Sequence, residues 1–472
     1  MKPIKSILPT FIACALISIL TSGCAHKYTP AYESAPNIPL GQDRANQNGT
    51  SIALSKWWQS LNDEQLTSYI ENAIRNNHDI ALSMARIDEA RQTLNSFTAS
   101  ARPSGNLGAS ASAQRVSENG ANPVAKIPGF NRDQLVFQTG FDASWEIDVF
   151  NGVKHYLAAQ SARIDVSEEE RNAVQIAVAA ETARAYFELQ GAQRELRAEQ
   201  SYIASLAHSI AILQSRYQAG DISKRDVDEA IARSASYEIR LPAIEARIRA
   251  ANIALQIIQG IAPSERILPA KIQPPLLLNV PIGARSELLE RRPDIRIAER
   301  RLAVRTNETA VQMVEKYPRF VISARFGWEA TEPLKILDAS SQAANIAPGI
   351  RWNILNGGRI EANIHAAEAR QTQALESYSQ TVIAALGDSE RAFSDYRGVL
   401  DTIQSRAIAI NAQQSALEHA QRRLAAGDIS KLEQLEAARL VLELQTQEVR
   451  GQTQAAISQI ALFKALGGGW GE

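Results

Sequence analysis

One residue in this sequence stands where covalent chemistry is to be expected. Cys24 follows a leader in which Lys2 and Lys5 precede an apolar run from about Ile7 to Leu20 and then small residues. That is the layout of an export signal, too short and wrongly flanked for a transmembrane helix. Thr21-Ser22-Gly23-Cys24 resembles a bacterial lipobox, in which cleavage before the cysteine exposes it for acylation; Thr21 stands where leucine is usual, with Leu20 one place earlier. The alternative is an ordinary secretory signal cut near Cys24. In either case Cys14 leaves with the signal, so the processed chain keeps one cysteine and no disulfide.

No other residues are spaced for bond-making chemistry. His26, His78, His155, His208, His365 and His419 are scattered, and none has a second histidine or cysteine at a metal-ligand spacing. There is no zinc motif, P-loop or nucleophile motif, so neither an enzyme nor a metal site is expected. The 472 residues carry a net charge of -1, with Lys and Arg interleaved among Asp and Glu. That pattern belongs to solvated helix faces and gives no electrostatic case for nucleic acid.

The remaining signal is positional. Ala-Gly-Asp-Ile-Ser-Lys occurs at Ala219–Lys224 and again at Ala426–Lys431, 207 positions on (426 less 219). At the same offset Trp145 meets Trp352, Ala162-Arg163 meets Ala369-Arg370, and Ala185-Tyr186 meets Ala392-Phe393. Upstream, Asp79-Ile80 matches Asp294-Ile295 and Pro103 matches Pro318 at an offset of 215 (294 less 79). The chain is a tandem duplication with an eight-residue length difference (215 less 207) between the proline and the tryptophan.

Each half must position its copy of the turn with helices. Val153 to Tyr217 holds no proline and one glycine, and Arg359 to Ala425 no proline and two glycines. Either run, if helical, is roughly 100 Å long at 1.5 Å per residue, so it needs long partners rather than a compact core. Shorter helical stretches follow, about Lys224 to Ile257 and Lys431 to Ala465, making a hairpin in each half. In the turn, Gly220 and Gly427 suit left-handed backbone. Ser223 and Ser430 suit the next N-cap, with Asp226 and Glu433 as capping-box partners. Turn chemistry alone leaves the recurrence of Asp221, Ile222 and Lys224 as Asp428, Ile429 and Lys431 open between a shared surface contact and shared ancestry.

Between the helices the period changes to two. Phe137, Thr139, Phe141, Ala143, Trp145, Ile147 and Val149 alternate with Gln138, Gly140, Asp142, Ser144, Glu146 and Asp148. Phe320, Ile322, Ala324, Phe326 and Trp328 alternate with Arg319, Val321, Ser323, Arg325, Gly327 and Glu329. Weaker alternation runs from Asn106 to Ala113 and from Asn345 to Ile354. Four strands in two hairpins follow, with loops at about 116–132 and 330–341. Their length and apolar, aromatic-rich face fit transmembrane β-barrel strands. Four strands cannot close a barrel and an open edge cannot stay in lipid, so several copies would share one. A small soluble sheet packed on the helices gives the same alternation.

These residues resemble the TolC-like outer-membrane efflux channels, or outer membrane factors, over nearly the whole chain. The marks are Trp57-Trp58, Arg292-Pro293-Asp294-Ile295 with Ala298-Glu299, Leu355-Asn356-Gly357-Gly358-Arg359, the Arg-x-x-x-Gly-x-x-Ser turns at Arg216 and Arg423, and Leu466-Gly467-Gly468-Gly469-Trp470. With the lipobox they resemble the NodT-like lipoprotein branch. Ala25, in place of the aspartate that retains such lipoproteins in the inner membrane, points to the outer membrane. The resemblance implies an α+β fold and a homotrimer. Its twelve strands, three times four, form an outer-membrane barrel, and its twelve helical strands form a periplasmic α-helical tunnel. It implies a passive exit duct for drugs, toxic compounds or metal ions, coupled to a periplasmic adaptor and an inner-membrane transporter of the resistance-nodulation-division (RND) class. Outer-membrane lipid surrounds it, and no cofactor is expected beyond covalent lipid on Cys24.

On that reading the six turns of a trimer, with Gly220, Asp221, Ser223, Gly427, Asp428 and Ser430, form the adaptor-contact ring. The periplasmic gate falls near Leu417, Glu418 and Gln421, where relatives carry an aspartate at the position of Gln421; these are equally ordinary coiled-coil positions. A type I protein-secretion outlet shares the architecture, and a soluble periplasmic coiled-coil scaffold would lack the barrel. The expected segments are a signal peptide (1–23), an N-terminal tether (24–62), a helix (63–102), a first β-hairpin (103–151) and a first long helical hairpin (152–260). A Pro-rich equatorial linker (261–284), a second helix (285–317), hairpin (318–356) and long helical hairpin (357–466), and a tail (467–472) complete the chain.

Overall fold

The computed structural model describes residues 32, 34, 36, 38–40, 54–119, 127–270, 272–280 and 285–470. Cys24 lies outside the described residues. The chain divides into two compact units. One gathers Thr93–Ala162 and Leu302–Gln373 with the described part of the N-terminal segment; the other gathers Pro36–Gln92, Arg163–Arg301 and Ala374–Glu472. Among the described residues no helix is long and apolar enough to cross a membrane.

The first unit is built on one antiparallel sheet: β1 (Ser104–Arg115), β2 (Asp133–Ile147), β3 (Arg319–Ala330) and β4 (Gln342–Arg351), in that spatial order. β2 and β3 join the two halves of the duplication. Phe141 lies opposite Leu107 on β1 and Phe326 on β3, and Phe326 lies opposite Ala344 on β4. Because side chains alternate across a sheet, this register lines all four apolar sets on one face. The opposite face carries Asp142 against Arg325 and Gln138 against Glu329. There Arg325 Nη2 donates to Gln138 Oε1 (3.0 Å) and Gln138 Nε2 to Glu329 Oε2 (2.8 Å). Gly140 and Gly327 face one another on this polar side, and a Cβ on either would stand 2.7 Å from the other's Cα. Only glycine permits that approach of the two backbones.

The long runs are single helices, α3 (Gly152–Gln218, 67 residues) and α8 (Arg359–Ala426, 68 residues), and α9 spans Lys431–Ala465. Three stretches that read as continuous helix are broken. The segment read at 63–102 is α1 (Glu64–Asn76) and α2 (His78–Ser100), divided at Asn77, whose side-chain oxygen accepts the Asp79 N–H (2.9 Å). The segment read at 285–317 is α6 (Arg285–Arg291) and α7 (Pro293–Val314), divided at Arg292, the same place in the repeat (292 less 77 is 215). Lys224–Ile257 is α4 (Lys224–Glu238) and α5 (Leu241–Ile258), because Pro242 has no N–H to continue the ladder of α4. The alternation reads on to Val149 and Ile354, but the hydrogen-bonded strands stop at Ile147 and Arg351.

The second unit is held by a core of Trp57, Trp58, Leu66, Ile70, Tyr186, Phe187, Leu189, Leu255 and Phe463, each nearly or fully buried. The alanines 179, 180, 183 and 185 on α3 let neighbouring backbones approach closely. Tyr186 donates its hydroxyl to Asp63 Oδ2 (2.8 Å), and Oδ1 of Asp63 caps α1 by accepting from Gln65 and Leu66 N–H (3.1 Å each). One carboxylate therefore both starts a helix and ties it to the long one.

Candidate functional site

The repeated turn has the same geometry twice. Gly220 (φ +84°) and Gly427 (φ +82°) are left-handed, and the following N–H closes back onto the helix: Asp221 to Arg216 O and Asp428 to Arg423 O, 2.9 Å each. This six-to-one closure satisfies a helix-end carbonyl. Ser223 N–H donates to Asp226 Oδ2 (3.2 Å), and Ser430 Oγ accepts from Glu433 N–H (3.2 Å). In the first turn two of the recurring residues make a contact. Ile222 packs against a cluster containing Tyr202, Leu206, Leu213, Val227 and Ala230, and Arg216 Nε stands 4.0 Å from Asp221 Oδ2. Asp221 and Asp428 are both exposed, so each turn presents a carboxylate outward.

The gate positions lie near the end of α8. Leu417 is half-buried, Glu418 and Gln421 are exposed, and Arg422 reaches Glu418 at 3.7 Å.

Motifs that carried only a resemblance prove to meet in the second unit. Arg292 Nη1 donates to Ala465 O (2.9 Å) and Ala385 O (3.3 Å), while Nη2 bonds Asp294 Oδ2 (2.7 Å). A cation thus covers the last carbonyl of α9, where the helix dipole favours it, and a second carbonyl within α8. Trp57 stacks on Phe463 with centroids 4.9 Å apart. Gly469 N–H donates to Leu54 O (2.9 Å), Trp470 Nε1 to Arg291 O (2.9 Å), and Arg296 lies over the Trp470 ring at 5.2 Å. The Trp-Trp, Arg-Pro-Asp-Ile and Gly-Gly-Gly-Trp motifs form one structural clasp between chain segments far apart in sequence.

Sequence reading also missed a buried charge cluster. Glu195 is 1% exposed and accepts from Arg247 and Arg450, each at 2.6 Å. Burial pushes its carboxyl up, but hydrogen bonds from Arg450 and Arg247 outweigh that and hold it below the ordinary carboxylate range. One turn on, Glu199 is fully buried, neither carboxylate oxygen has a hydrogen-bond partner, and Arg240 approaches only to 3.6 Å. Burial therefore raises its pKa, with Arg240 opposing and Glu195 adding. At the duplicated position (199 plus 207) stands Arg406, 3.7 Å from Glu448 on α9, whereas the counterpart of Arg240 (240 plus 207) is Gln447, so the second half puts a cation where the first has Glu199 and pairs it one place further on.

The family model described as outer membrane efflux protein matches residues 69–260 and 284–468. The chain is similar to the pyoverdine export outer membrane protein OpmQ of Pseudomonas putida, 27% identical over 468 residues covering 98% of each chain. It is 29% identical to outer membrane protein OprJ of Pseudomonas aeruginosa over 478 residues, 98% of this chain and 97% of OprJ. The solved outer-membrane channel OprN superposes with a TM-score of 0.80 at 27% identity, across 95% of this chain and 99% of that one.

Proposed function

The chain belongs to the outer membrane efflux protein family, with the α+β fold of TolC-like channels and a place in the outer membrane, and from that premise we propose that it is the exit duct of a tripartite pump. Three copies close one twelve-stranded barrel, and their helices line a periplasmic tunnel. A periplasmic adaptor docks on the turns, and an inner-membrane RND-type transporter supplies energy and chooses the small-molecule cargo. The observation that carries this reading is the sheet: among the described residues β1 and β4 each leave one edge unpaired, while the apolar sets of all four strands share a face. Such edges do not persist in lipid, and β1 pairing with β4 of the next copy removes both. The duplication then sets six turns in a ring of near-sixfold symmetry, matching one helical hairpin of an adaptor at each. Leu417, Glu418 and Gln421 line the narrow periplasmic end, without the acidic ring an aspartate at 421 would add.

The docking role is tested at the carboxylates. Asp221→Lys and Asp428→Lys together should impair dye efflux and adaptor cross-linking more than either alone, while the assembled channel reaches the outer membrane at normal abundance. Both turns keep their glycine and cap in these variants, so folding is not at stake. Wild-type efflux and cross-linking in the double variant would remove the turns from the docking surface.

We also propose that Cys24 carries covalent lipid. Cys24→Ser should abolish incorporation of labelled palmitate yet leave the barrel inserted, because one or two acyl chains anchor far more weakly than a membrane-spanning structure. Undiminished labelling of the variant would refute acylation at this residue.

A further inference from the structure

The polar face of the sheet carries its charge unevenly. Six ionisable residues of the four strands lie on it: Asp142 and Glu146 on β2, Arg319, Arg325 and Glu329 on β3, and Arg351 on β4. Asp142 stands opposite Arg325, and Glu146 Oε2 lies 3.7 Å from Arg319 Nη1, so these four balance in pairs. Arg351 and Glu329 are left over, toward opposite ends of the face. Ten positions of β3 separate their rows (329 less 319), roughly 34 Å of strand at 3.4 Å per residue.

Arg351 ends β4 directly opposite Arg319, the first residue of β3, at the end of the sheet from which the long helices leave. Like charges opposite one another in a sheet repel. Arg319 has Glu146 and Glu315 to offset this, whereas the exposed Arg351 side chain has no ion pair or hydrogen bond among the described residues. Nearby acids are engaged elsewhere. The Asp148 carboxylate accepts Val153 and Lys154 N–H (3.1 and 2.9 Å), and Glu361 pairs with Lys316 at 2.9 Å. Closing the barrel supplies no other. The strand of the next copy that would run antiparallel to β4 is β1, whose beginning would then meet Arg351. From Ser104 to Arg115 that strand has no acidic residue, and Arg102-Pro103 leads into it.

We propose that Arg351, with Arg319 beside it, is an anion-recognition site at the periplasmic mouth of the barrel, repeated in each copy around the lumen, and that it takes the carboxylate or phosphate group of solutes on their way out. The proposal rests on the polar face lining the lumen. A guanidinium presents a planar fork of donors that matches either oxyanion. Low-dielectric walls around a narrow water column concentrate the field of such a ring.

The test uses the full chain in the Cys24→Ser background, reconstituted in phosphatidylcholine vesicles. Val321→Cys places a thiol on the polar face opposite Gly349, one row from the two arginines. Ser110→Cys places one opposite Gln138, in the row of Glu329. Each thiol is modified with an anionic and with a cationic methanethiosulfonate, and the ratio of the two rates cancels any change in the thiol itself. At 10 mM salt Arg351→Gln should lower the preference for the anionic reagent at 321 roughly fivefold and leave the ratio at 110 unchanged, and 1 M salt should remove the difference. Citrate or inorganic phosphate, against chloride at equal ionic strength, should slow the anionic reagent at 321 when Arg351 is present and not in Arg351→Gln. An unchanged ratio at 321, or protection by neither anion, overturns the site alone. If neither thiol reacts while one placed by Leu107→Cys does, the polar face does not line the lumen, and the reading of the sheet falls with the site.

Discussion

Phe141→Arg and Phe326→Arg should each sharply reduce the amount of assembled channel in the outer membrane. The two rings lie directly opposite one another near the middle of β2 and β3, half exposed on the apolar face. A guanidinium there meets hydrocarbon, at roughly 2–4 kcal/mol per substitution near the midplane. The control belongs on the other face: Ser144→Arg, opposite Ser323, should be tolerated, since water bathes that side. Asp142 is the wrong control because it faces Arg325, and arginine there would set like charges together. The measurement is the yield of folded protein in outer-membrane fractions and its urea midpoint in vesicles. Equal yields from both faces would mean a soluble sheet.

Two neighbouring glutamates should respond oppositely to removal of their charge. Glu195→Gln takes away the acceptor of two charge-assisted bonds from Arg247 and Arg450. With both arginines half exposed and able to regain water, the loss should be roughly 2 kcal/mol at neutral pH. Glu199→Gln removes a buried carboxylate that has no hydrogen bond, so it should leave stability unchanged or raise it. The pH dependence follows from the signs. The Glu199 carboxyl is raised in the folded chain, so the native state holds its proton more tightly than the unfolded chain does. Its contribution is full below the ordinary glutamate range and is lost as pH rises through the raised value. Glu195, held low, contributes above the ordinary range and loses that contribution as pH falls through its own lowered value. Thermal melts followed by helix circular dichroism should show Glu199→Gln removing a decline on the alkaline side and Glu195→Gln removing one on the acid side. Identical profiles for the two variants would contradict these assignments.

What the sequence makes legible follows from local physics. The ends of α3 and α8 fall within about a residue of the expected bounds because glycine, serine and an acid are each required by the backbone of the turn. The strand register was readable because one face is uniformly apolar, and a slip of one residue would reverse it. The same alternation overran the ladder at Val149 and Ile354, since it reports which side chains avoid water and not which amides are paired. Pro242 hid the break between α4 and α5 because proline is at home in a first helical turn. Glu195 and Glu199 look like any glutamates on a solvated face; their burial depends on α5 and α9, which arrive from distant parts of the chain. Arg292 likewise finds its carbonyl partner 173 residues away at Ala465.

The claim that three copies close a barrel is tested most directly by amide hydrogen exchange of the wild-type chain in native outer-membrane vesicles. Among the described residues each of β1 and β4 has one strand neighbour, whereas β2 and β3 have two. Closure between copies gives the outward amides of β1 and β4 partners, so they should be as slow to exchange as those of β2 and β3. If β1 and β4 exchange rapidly along their outer edges while β2 and β3 stay protected, the sheet is open and the shared barrel does not form.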